Sequence, residues 1–400
     1  MNASPLAPDR QPALDNLRAM MMWLGIVLHV AANHLTGPML LPWRDKDTSR
    51  LADLVVSVIH VFRMPLFLIL SGYFVAMLVE RRGALQMLRH RMRRIALPFA
   101  VFWPVVFALT VVLVMLYAHR AERGHFGLSL EVVPTVPHAP KLNTLHMWFL
   151  YQLAGLALLT FAALRLAPRL PQGLRDRIAQ GLRQLGGRPW GFALLSLPLG
   201  VIGAQYPFGL LVVTGSFAPP LGEWLHHGLF YAFGYFLYLH RGALLAGYTA
   251  HASRLAWGGA LCCMVSLGML TEVHREPQTT SMAFRIVAAW AYNAATWLWS
   301  FALIGLALRH LNRPHAALQY MAESSYWVYL VHMLGTIGFG ALLYGANLPA
   351  EAKMLINIAA TTLMTLATYQ LFVRNTSVGV LLNGKRIPPA KATPLNSAAG

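Results

Sequence analysis

Apolar residues fall into long runs along this chain, separated by short polar connections. A helix of about 20 apolar residues is long enough to cross a bilayer. Windows of this kind lie at residues 17–38, 54–79, 95–118, 145–164, 190–206, 223–240, 255–271, 284–308, 325–346 and 353–373. The pattern predicts an all-α, polytopic integral membrane protein with about ten transmembrane helices. Its membrane domain spans residues 17–373, between an N-terminal segment, 1–16, and a C-terminal tail, 374–400.

Basic residues in the connections predict how these helices are oriented. The connections on the side of the N-terminus hold 22 Lys and Arg residues, and the opposite set holds 9. Because Lys and Arg accumulate on the cytoplasmic side of a membrane, both termini are expected in the cytoplasm. Residues 19–30 resemble the apolar region of a signal peptide and Val30-Ala31-Ala32 a loose cleavage site, but two acids, Asp9 and Asp15, precede the run and it continues past that site. We therefore expect an uncleaved first span rather than a signal peptide.

Composition agrees with a protein that lies among membrane lipids. Hydrophobic residues make up 57% of the 400, charged residues 12%, and the mean hydropathy is +0.52. The net charge of +18 is spread over short connections rather than one face, so nucleic acid is not an expected partner. Metal ligands are not clustered in the sequence. The two cysteines, Cys262 and Cys263, are adjacent to each other, and the consecutive histidines His226 and His227 are expected to face apart on their helix. We predict no metal site.

The first span carries two ionisable residues on one face. Arg18 and His29 are eleven positions apart, which is almost three helical turns and about 16 Å along a helix. Ionisable residues inside a membrane span indicate a functional site. Arg at a cytoplasmic boundary suits phosphate, and neutral His suits a general base. Alternatively, Arg18 follows the positive-inside rule and His29 bonds a neighbouring helix, or His34 is the base instead.

The second span carries His60 and Arg63, one turn apart on one face. An Arg at this depth costs several kcal/mol or more unless an anion, carbonyl groups or water surround it. Every acid near the predicted spans lies at a span end, so we expect either an anionic ligand or a structural network around Arg63. Pro65 and the Ser71-Gly72 pair are expected to bend this helix or allow close packing.

Polar residues also mark two later spans. His146, Trp148 and Tyr151 fall near the outer interface, where aromatic residues commonly form a belt. In the ninth span, Tyr329 and His332 end a stripe of polar residues with a spacing of three, which also includes Glu323 and Tyr326. Such a stripe must face the bundle interior, either as a satisfied interhelical network or as part of a catalytic site.

Four short motifs resemble those of the membrane acyltransferase-3 family. The first is the opening Leu14-Asp15-x-x-Arg18, followed by ten residues and then His29. The others are residues 63–67 with 70–74 (RMPLF and LSGYF), 146–150 (HMWFL) and 325–332 (SYWVYLVH). Residues 374–384, RNTSVGVLLNG, are similar to the branch of this family that succinylates periplasmic glucans.

This resemblance implies acyl transfer across the inner membrane of a bacterium. Cytoplasmic acyl-CoA, either succinyl-CoA or acetyl-CoA, would donate to a hydroxyl of a periplasmic or cell-surface glycan. Arg18 would hold the CoA phosphates, His29 would act as base, and Arg63 would bind the succinyl carboxylate or the developing oxyanion. Tyr329 is assigned to donor binding as well. The residues assigned to the substrate are His60, His146, Trp148 and His332.

Two other activities fit the same residues. An acetyltransferase for O-antigen or exopolysaccharide would use the same fold with another donor and acceptor. A glycan or small-molecule transporter would also bury His and Arg residues in a helical bundle, although its substrate would leave unmodified. A transporter built from inverted repeats shows matching broken helices in its two halves, and this pattern is absent here.

Overall fold

The computed structural model describes residues 12–37, 41–134, 142–206, 209–276, 279–313 and 315–384. Every regular element within these ranges is helical, and they contain no strand. The α-helices are α1 (Pro12–Ala31), α2 (Arg50–Arg82), α3 (Ala84–Arg91), α4 (Leu97–Arg123), α5 (Trp148–Leu166), α6 (Gln172–Gly187), α7 (Gly191–Ala204), α8 (Leu221–Leu239), α9 (Arg241–Arg275), α10 (Met282–His310), α11 (Ala316–Leu343), α12 (Ala350–Phe372) and α13 (Ser377–Asn383). The all-α prediction is confirmed.

Seven of the described helical segments are long and apolar enough to cross a membrane. They are α2, the α3–α4 segment, the α5 segment, α9, α10, α11 and α12. The other three predicted spans coincide with α1, α7 and α8. Helix α7 has only 14 residues, whereas α1 and α8 carry charged and histidine residues that reduce their apolar character. A multi-pass membrane protein is therefore supported, while the count of ten spans stays a prediction.

Helices also occupy segments that the hydropathy pattern assigned to connections. Helix α6 lies between the fourth and fifth predicted spans, and α9 begins at Arg241, well before its apolar window. In α6 the apolar residues Leu174, Ile178 and Leu182 recur every four positions among polar ones. This is the pattern of an amphipathic helix, which a search for continuous apolar runs does not detect.

Burial separates a central group of helices from a peripheral one. The most apolar windows of α10, α11 and α2 are 72%, 61% and 56% buried, whereas that of α4 is only 17% buried. Helix α2 packs closely against α8. A Cβ atom at Gly72 would lie 1.9 Å from the carbonyl oxygen of Tyr231, and one at Gly234 would lie 1.9 Å from that of Ile69. The two glycines therefore allow the backbones to touch, as expected for Gly72 from the sequence.

Pro65 links α2 to α10 instead of simply breaking α2. A proline has no N–H, so the carbonyl group of Val61, four residues earlier, loses its helical partner. Here that carbonyl oxygen accepts a hydrogen bond from Thr296 Oγ1 at 2.9 Å. Helix α10 thus satisfies the Val61 carbonyl, which lies within one turn of both His60 and Arg63. This bond holds that part of α2 in the centre of the bundle.

The connections predicted for opposite sides of the membrane lie at opposite ends of the bundle. At one end, Arg94 Nη1 donates to the carbonyl oxygens of Val380 and Leu381 at 3.3 and 3.1 Å, which holds α13 beside the start of α4. At the other end, Lys353 Nζ bonds Asp45 Oδ1 at 3.0 Å and Asp47 Oδ2 at 2.6 Å. Which of these ends faces the cytoplasm stays a prediction. The tail beyond Gly384 lies outside the described residues.

Candidate active site

Helix α1 places Arg18 and His29 towards opposite ends of one continuous helix. It packs mainly against α11 and α2. The Arg18 guanidinium forms an ion pair with Asp15 at 3.2 Å and lies over the Phe74 ring, with 5.1 Å from Cζ to the ring centroid. The Arg18 side chain is 38% exposed, so it remains accessible to an anion. His29 lies in the last turn of α1 and is half-buried.

Three histidines from three separate segments form a central histidine cluster: His29 of α1, His332 of α11 and His146 of the 3₁₀ segment Leu145–Met147. The ring centroids of His29 and His332 are 5.2 Å apart, and those of His332 and His146 are 5.0 Å apart. His146 and His332 are buried, whereas His29 is only partly so. His29 is therefore the member that a substrate can reach most directly.

Hydrogen bonds define the neutral tautomer of the two buried histidines. His332 Nδ1 lies 2.8 Å from the carbonyl oxygen of Tyr329, and His146 Nε2 lies 3.1 Å from the same oxygen. A carbonyl oxygen only accepts, so these nitrogens carry the protons. The remaining nitrogens, His332 Nε2 and His146 Nδ1, are buried without a hydrogen-bond partner among the described residues. Both are lone-pair acceptors within the cluster.

Tyr329 and His146 hold each other through reciprocal hydrogen bonds. Tyr329 Oη donates to the carbonyl oxygen of His146 at 2.8 Å, and His146 Nε2 donates back to the Tyr329 carbonyl. The preceding residue, Leu145, has φ of 52°, the only positive φ of a non-glycine residue in the described parts of the chain. A left-handed leucine costs on the order of 1–2 kcal/mol. The Tyr329–His146 contact supports this strained segment and fixes the orientation of His146.

Arg63 is buried beside the cluster, and only 6% of the residue is exposed. Its Nε donates to the carbonyl oxygen of Met21 at 2.8 Å. A Cβ atom at Gly25 would lie 2.5 Å from Arg63 Nη2 and 3.2 Å from His332 Nε2, so the glycine makes room for both groups. Across the described residues, no carboxylate forms an ion pair with Arg63. A buried cation without an acid is suited to an anionic ligand or a developing oxyanion.

Two of the predicted substrate residues lie next to this cluster rather than in it. His60 Nδ1 is 3.1 Å from Tyr292 Oη of α10, and His60 is exposed, so its ring borders open space. The Trp148 ring stacks on that of His227 of α8, with centroids 5.2 Å apart and an interplanar angle of 23°. The sequence indicates no functional role for His227 or its neighbour His226, because adjacent helical residues are expected to face apart.

Other polar residues have structural contacts. His34 Nδ1 bonds the carbonyl oxygen of Asp47 at 2.8 Å, and His34 is buried, so it anchors the 41–49 loop. Tyr326 Oη donates to the Arg94 carbonyl at 2.8 Å, near the end of the bundle that holds Arg18. The polar stripe of α11 therefore divides: His332 belongs to the central histidine cluster and Tyr329 bonds to it, whereas Tyr326 does neither.

Among the described side chains, no group of three or more His, Cys, Asp or Glu residues is arranged to hold a metal ion.

Arg91 is a further candidate for anion binding, although in the sequence it is only one of several arginines in a basic connection. Its guanidinium lies within electrostatic interaction distance of Arg18, and its Nε is buried without a partner among the described residues. Two neighbouring guanidinium groups at one end of α1 favour a polyanionic ligand such as a phosphate chain. The sequence alone could not distinguish Arg91 from the other arginines of residues 81–94, because only packing determines that its Nε is buried.

A model of the Acyl_transf_3 family, described as an acyltransferase domain, matches residues 11–373. The chain belongs to this family. Its similar curated relatives include glucans biosynthesis protein C from Salmonella gallinarum (strain 287/91 / NCTC 13346) and from Salmonella heidelberg (strain SL476). Each is 24% identical over 413 residues, which cover 97% of this chain and 98% of the relative. The Salmonella schwarzengrund (strain CVM19633) protein is 23% identical over 410 residues. No solved structure matches.

Family membership confirms the resemblance found in the sequence, and it establishes the chain as a membrane acyltransferase. The motif segments of this acyltransferase-3 protein are distributed over residues 14–332 of the sequence and meet in the fold. Arg63 from the second motif, His146 from the third and His332 from the fourth all lie around the end of α1 that carries His29. The central histidine cluster is therefore the place where the family motifs converge.

Proposed function

We propose that this acyltransferase moves an acyl group, with succinyl favoured over acetyl, from cytoplasmic acyl-CoA to a hydroxyl of a periplasmic or cell-surface glycan. The observation that carries the proposal is the convergence of His29, His332, His146 and Arg63 around one end of α1, with Arg18 at the other. One helix thereby connects an anion-binding end to a histidine site. In this proposal the protein lies in the bacterial inner membrane.

The donor would bind along α1. Arg18 is accessible and interacts electrostatically with Arg91, so this end of the helix suits the phosphates of CoA. The eleven-residue spacing in a continuous helix corresponds to about 16 Å, which is similar to the length of an extended pantetheine arm. The thioester would then reach the level of His29, where the half-buried imidazole can contact it.

Transfer in one step needs only a base and a site for the oxyanion. A ring nitrogen of His29 accepts the proton of the acceptor hydroxyl while its oxygen forms a bond to the thioester carbonyl carbon. The C–S bond breaks, and the departing CoA thiolate takes the proton from the imidazolium and leaves as the thiol. The products are an O-acyl ester and CoA. The buried neutral histidines, His332 and His146, would orient the acceptor by accepting hydrogen bonds from other hydroxyls of the same sugar.

Arg63 supports the preference for a succinyl donor. Its buried guanidinium has no carboxylate partner among the described residues, so the terminal carboxylate of a succinyl group would supply the missing charge. An acetyl group has no such carboxylate, and with an acetyl donor Arg63 would contact only the developing oxyanion. The name of the Salmonella relatives, glucans biosynthesis protein C, is the reason that a glucan is our first choice of acceptor.

The test is to replace His29 with alanine and measure glycan acylation by mass spectrometry of periplasmic glycans. We expect His29→Ala to abolish the acyl mass increment while protein abundance stays near that of the wild type. His251→Ala is the matched control, because His251 is an exposed histidine of α9 that bonds only its own helix. Unchanged acyl content in the His29 variant would refute the assignment, and the size of the wild-type increment would distinguish succinyl from acetyl.

A further inference from the structure

A second histidine site lies in α8, outside the central histidine cluster. His226 and His227 are 8% and 3% exposed, and their ring centroids are 5.3 Å apart. We call them the α8 histidine pair. Each has a buried Nδ1 atom with no hydrogen-bond partner in the described part of the chain. A buried polar atom that stays unpaired costs on the order of 1–3 kcal/mol, so two such atoms side by side require an explanation.

Neighbouring hydrogen bonds show what the free atom of His226 offers. Asn293 Nδ2 donates to the carbonyl oxygen of Ala289 at 2.8 Å, which orients the amide and leaves Asn293 Oδ1 as an acceptor. His226 Nε2 lies 3.2 Å from that oxygen and must therefore carry the proton. The free Nδ1 of His226 is a lone-pair acceptor. It can bind a ligand that donates a hydrogen bond, and it disfavours an anion.

The pair lies in surroundings that combine apolar and polar groups. The half-buried indole of Trp148 stacks on His227, and Tyr292 of α10 bonds His60. Glu223, one turn earlier on α8, accepts from the backbone N–H of Thr214 at 2.8 Å and is thereby engaged elsewhere. An aromatic surface with a few neutral hydrogen-bonding groups suits a neutral polyhydroxyl compound better than a charged one.

His60 connects this site to the proposed base. It lies one turn before Arg63 on α2 and is exposed, and its Nδ1 is 3.1 Å from Tyr292 Oη, the residue next to the Asn293 that bonds His226. The α8 histidine pair and His29 therefore border neighbouring parts of one region. A ligand bound at the pair would lie beside the site where the thioester is proposed to react.

We propose that the α8 histidine pair binds the acceptor glycan, with His226 Nδ1 accepting a hydrogen bond from one sugar hydroxyl and His227 Nδ1 hydrogen-bonding another, beside Trp148. This inference rests on the proposed function, because it assigns the acceptor end of the same reaction. In the assignment, Arg18 and Arg63 contact the donor and α8 selects the acceptor. The sugar hydroxyls, which can donate or accept, satisfy the two buried nitrogens, so both histidines contribute to glycan affinity rather than to the chemical step.

The experiment uses the full chain in lipid nanodiscs, with succinyl-CoA as donor and glucan oligosaccharides from the periplasm of a strain lacking this protein as acceptor. His226→Gln keeps a polar group near the position of Nε2, and hence the contact with Asn293, but removes the Nδ1 acceptor. His227→Gln removes the acceptor of His227 in the same way. We expect each to raise the KM for glucan about tenfold, the value of one lost hydrogen bond, with little change in the KM for succinyl-CoA.

Two controls separate binding from folding. His227→Asn retains a polar atom near the Nδ1 position and should lose less affinity than His227→Gln, whereas His251→Gln on the exposed surface of α9 should match the wild type. Where a glutamine variant does not reach the wild-type unfolding temperature, Trp148→Leu tests the same surface. It should likewise raise the KM for glucan, because it removes the indole that stacks on His227. Equal changes in the KM values for donor and acceptor, or no change in the KM for glucan, would overturn the inference.

Direct binding of the same oligosaccharides keeps this test independent of the proposed function. If the wild type binds glucan and His226→Gln weakens binding, the acceptor site stands even where no acyl group is transferred. If acyl transfer is normal and glucan binding is equal in wild type and variant, the reaction stands and the α8 assignment is wrong.

Discussion

Replacing Gly25 with alanine tests the geometry of the proposed active site without removing any functional group. Gly25 lies in α1, one turn before His29, where the helix faces Arg63 and His332. The new methyl group would lie 2.5 Å from Arg63 Nη2 and 3.2 Å from His332 Nε2. The first distance is far below a normal contact, so the guanidinium must move.

The size of that movement gives the expected effect. Contact at about 3.4 Å requires Arg63 Nη2 to shift by about 1 Å, and the bond from Arg63 Nε to the Met21 carbonyl at 2.8 Å restricts how the side chain can turn. A misplacement of about 1 Å near reacting groups can cost about 100-fold in rate. We expect Gly25→Ala to reduce acyl transfer by about 10-fold to 100-fold.

Stability should change much less than activity. Overpacking costs about 1–3 kcal/mol in the free energy of unfolding, while alanine is favoured over glycine in a helix by about 1 kcal/mol. The two effects partly cancel, so the variant should fold. Gly258→Ala in α9 is the matched control, since its nearest neighbour would be Leu298 Cδ1 at 3.5 Å, an ordinary van der Waals distance.

The assay measures succinyl transfer to glucan oligosaccharides by nanodisc preparations of both variants, normalised to folded protein from thermal unfolding. Gly258→Ala should retain wild-type activity. A folded Gly25→Ala variant with wild-type activity would refute the role of the Arg63 and His332 geometry. A loss that merely follows the folded fraction would show that Gly25 is required only for packing.

Further predictions concern Arg63, two ion pairs and the topology of the chain. Arg63→Ala should reduce transfer from succinyl-CoA about 10-fold to 100-fold more than transfer from acetyl-CoA, and equal losses in parallel assays would indicate a structural Arg63. Lys353→Met leaves the buried carboxylate of Asp45 unpaired and should lower the free energy of unfolding by about 3–5 kcal/mol. Glu272→Gln, which removes the exposed ion pair of Glu272 with Arg275, should lower the free energy of unfolding by only about 0–1 kcal/mol in the same assay. Similar losses for Lys353→Met and Glu272→Gln would contradict the importance of the buried pair. A reporter fused after Gly400 should indicate the cytoplasm, and a periplasmic signal would reverse the proposed topology.

The sequence could predict features that depend on one helix at a time. The spacing of Arg18 and His29 places them on one face because the helical period is a local property, and α1 is indeed continuous between them. The all-helical architecture and the family followed likewise from apolar runs and short contiguous motifs. A search for continuous apolar runs misses the amphipathic helix α6 and the part of α9 that precedes residue 255, since their apolar residues do not form such runs.

Contacts between helices were decided only by the tertiary structure. The sequence placed Tyr329 and His332 on one stripe of α11, but the packing of α1, α11 and residues 145–147 determined that His332 meets both His29 and His146. The same packing places Tyr326 in a hydrogen bond to the Arg94 carbonyl, away from the cluster. It also buries the Nδ1 atoms of the α8 histidine pair without a hydrogen-bond partner among the described residues. Each face of a central helix meets a different neighbour, and residues from opposite ends of the chain become adjacent only when the whole bundle has assembled.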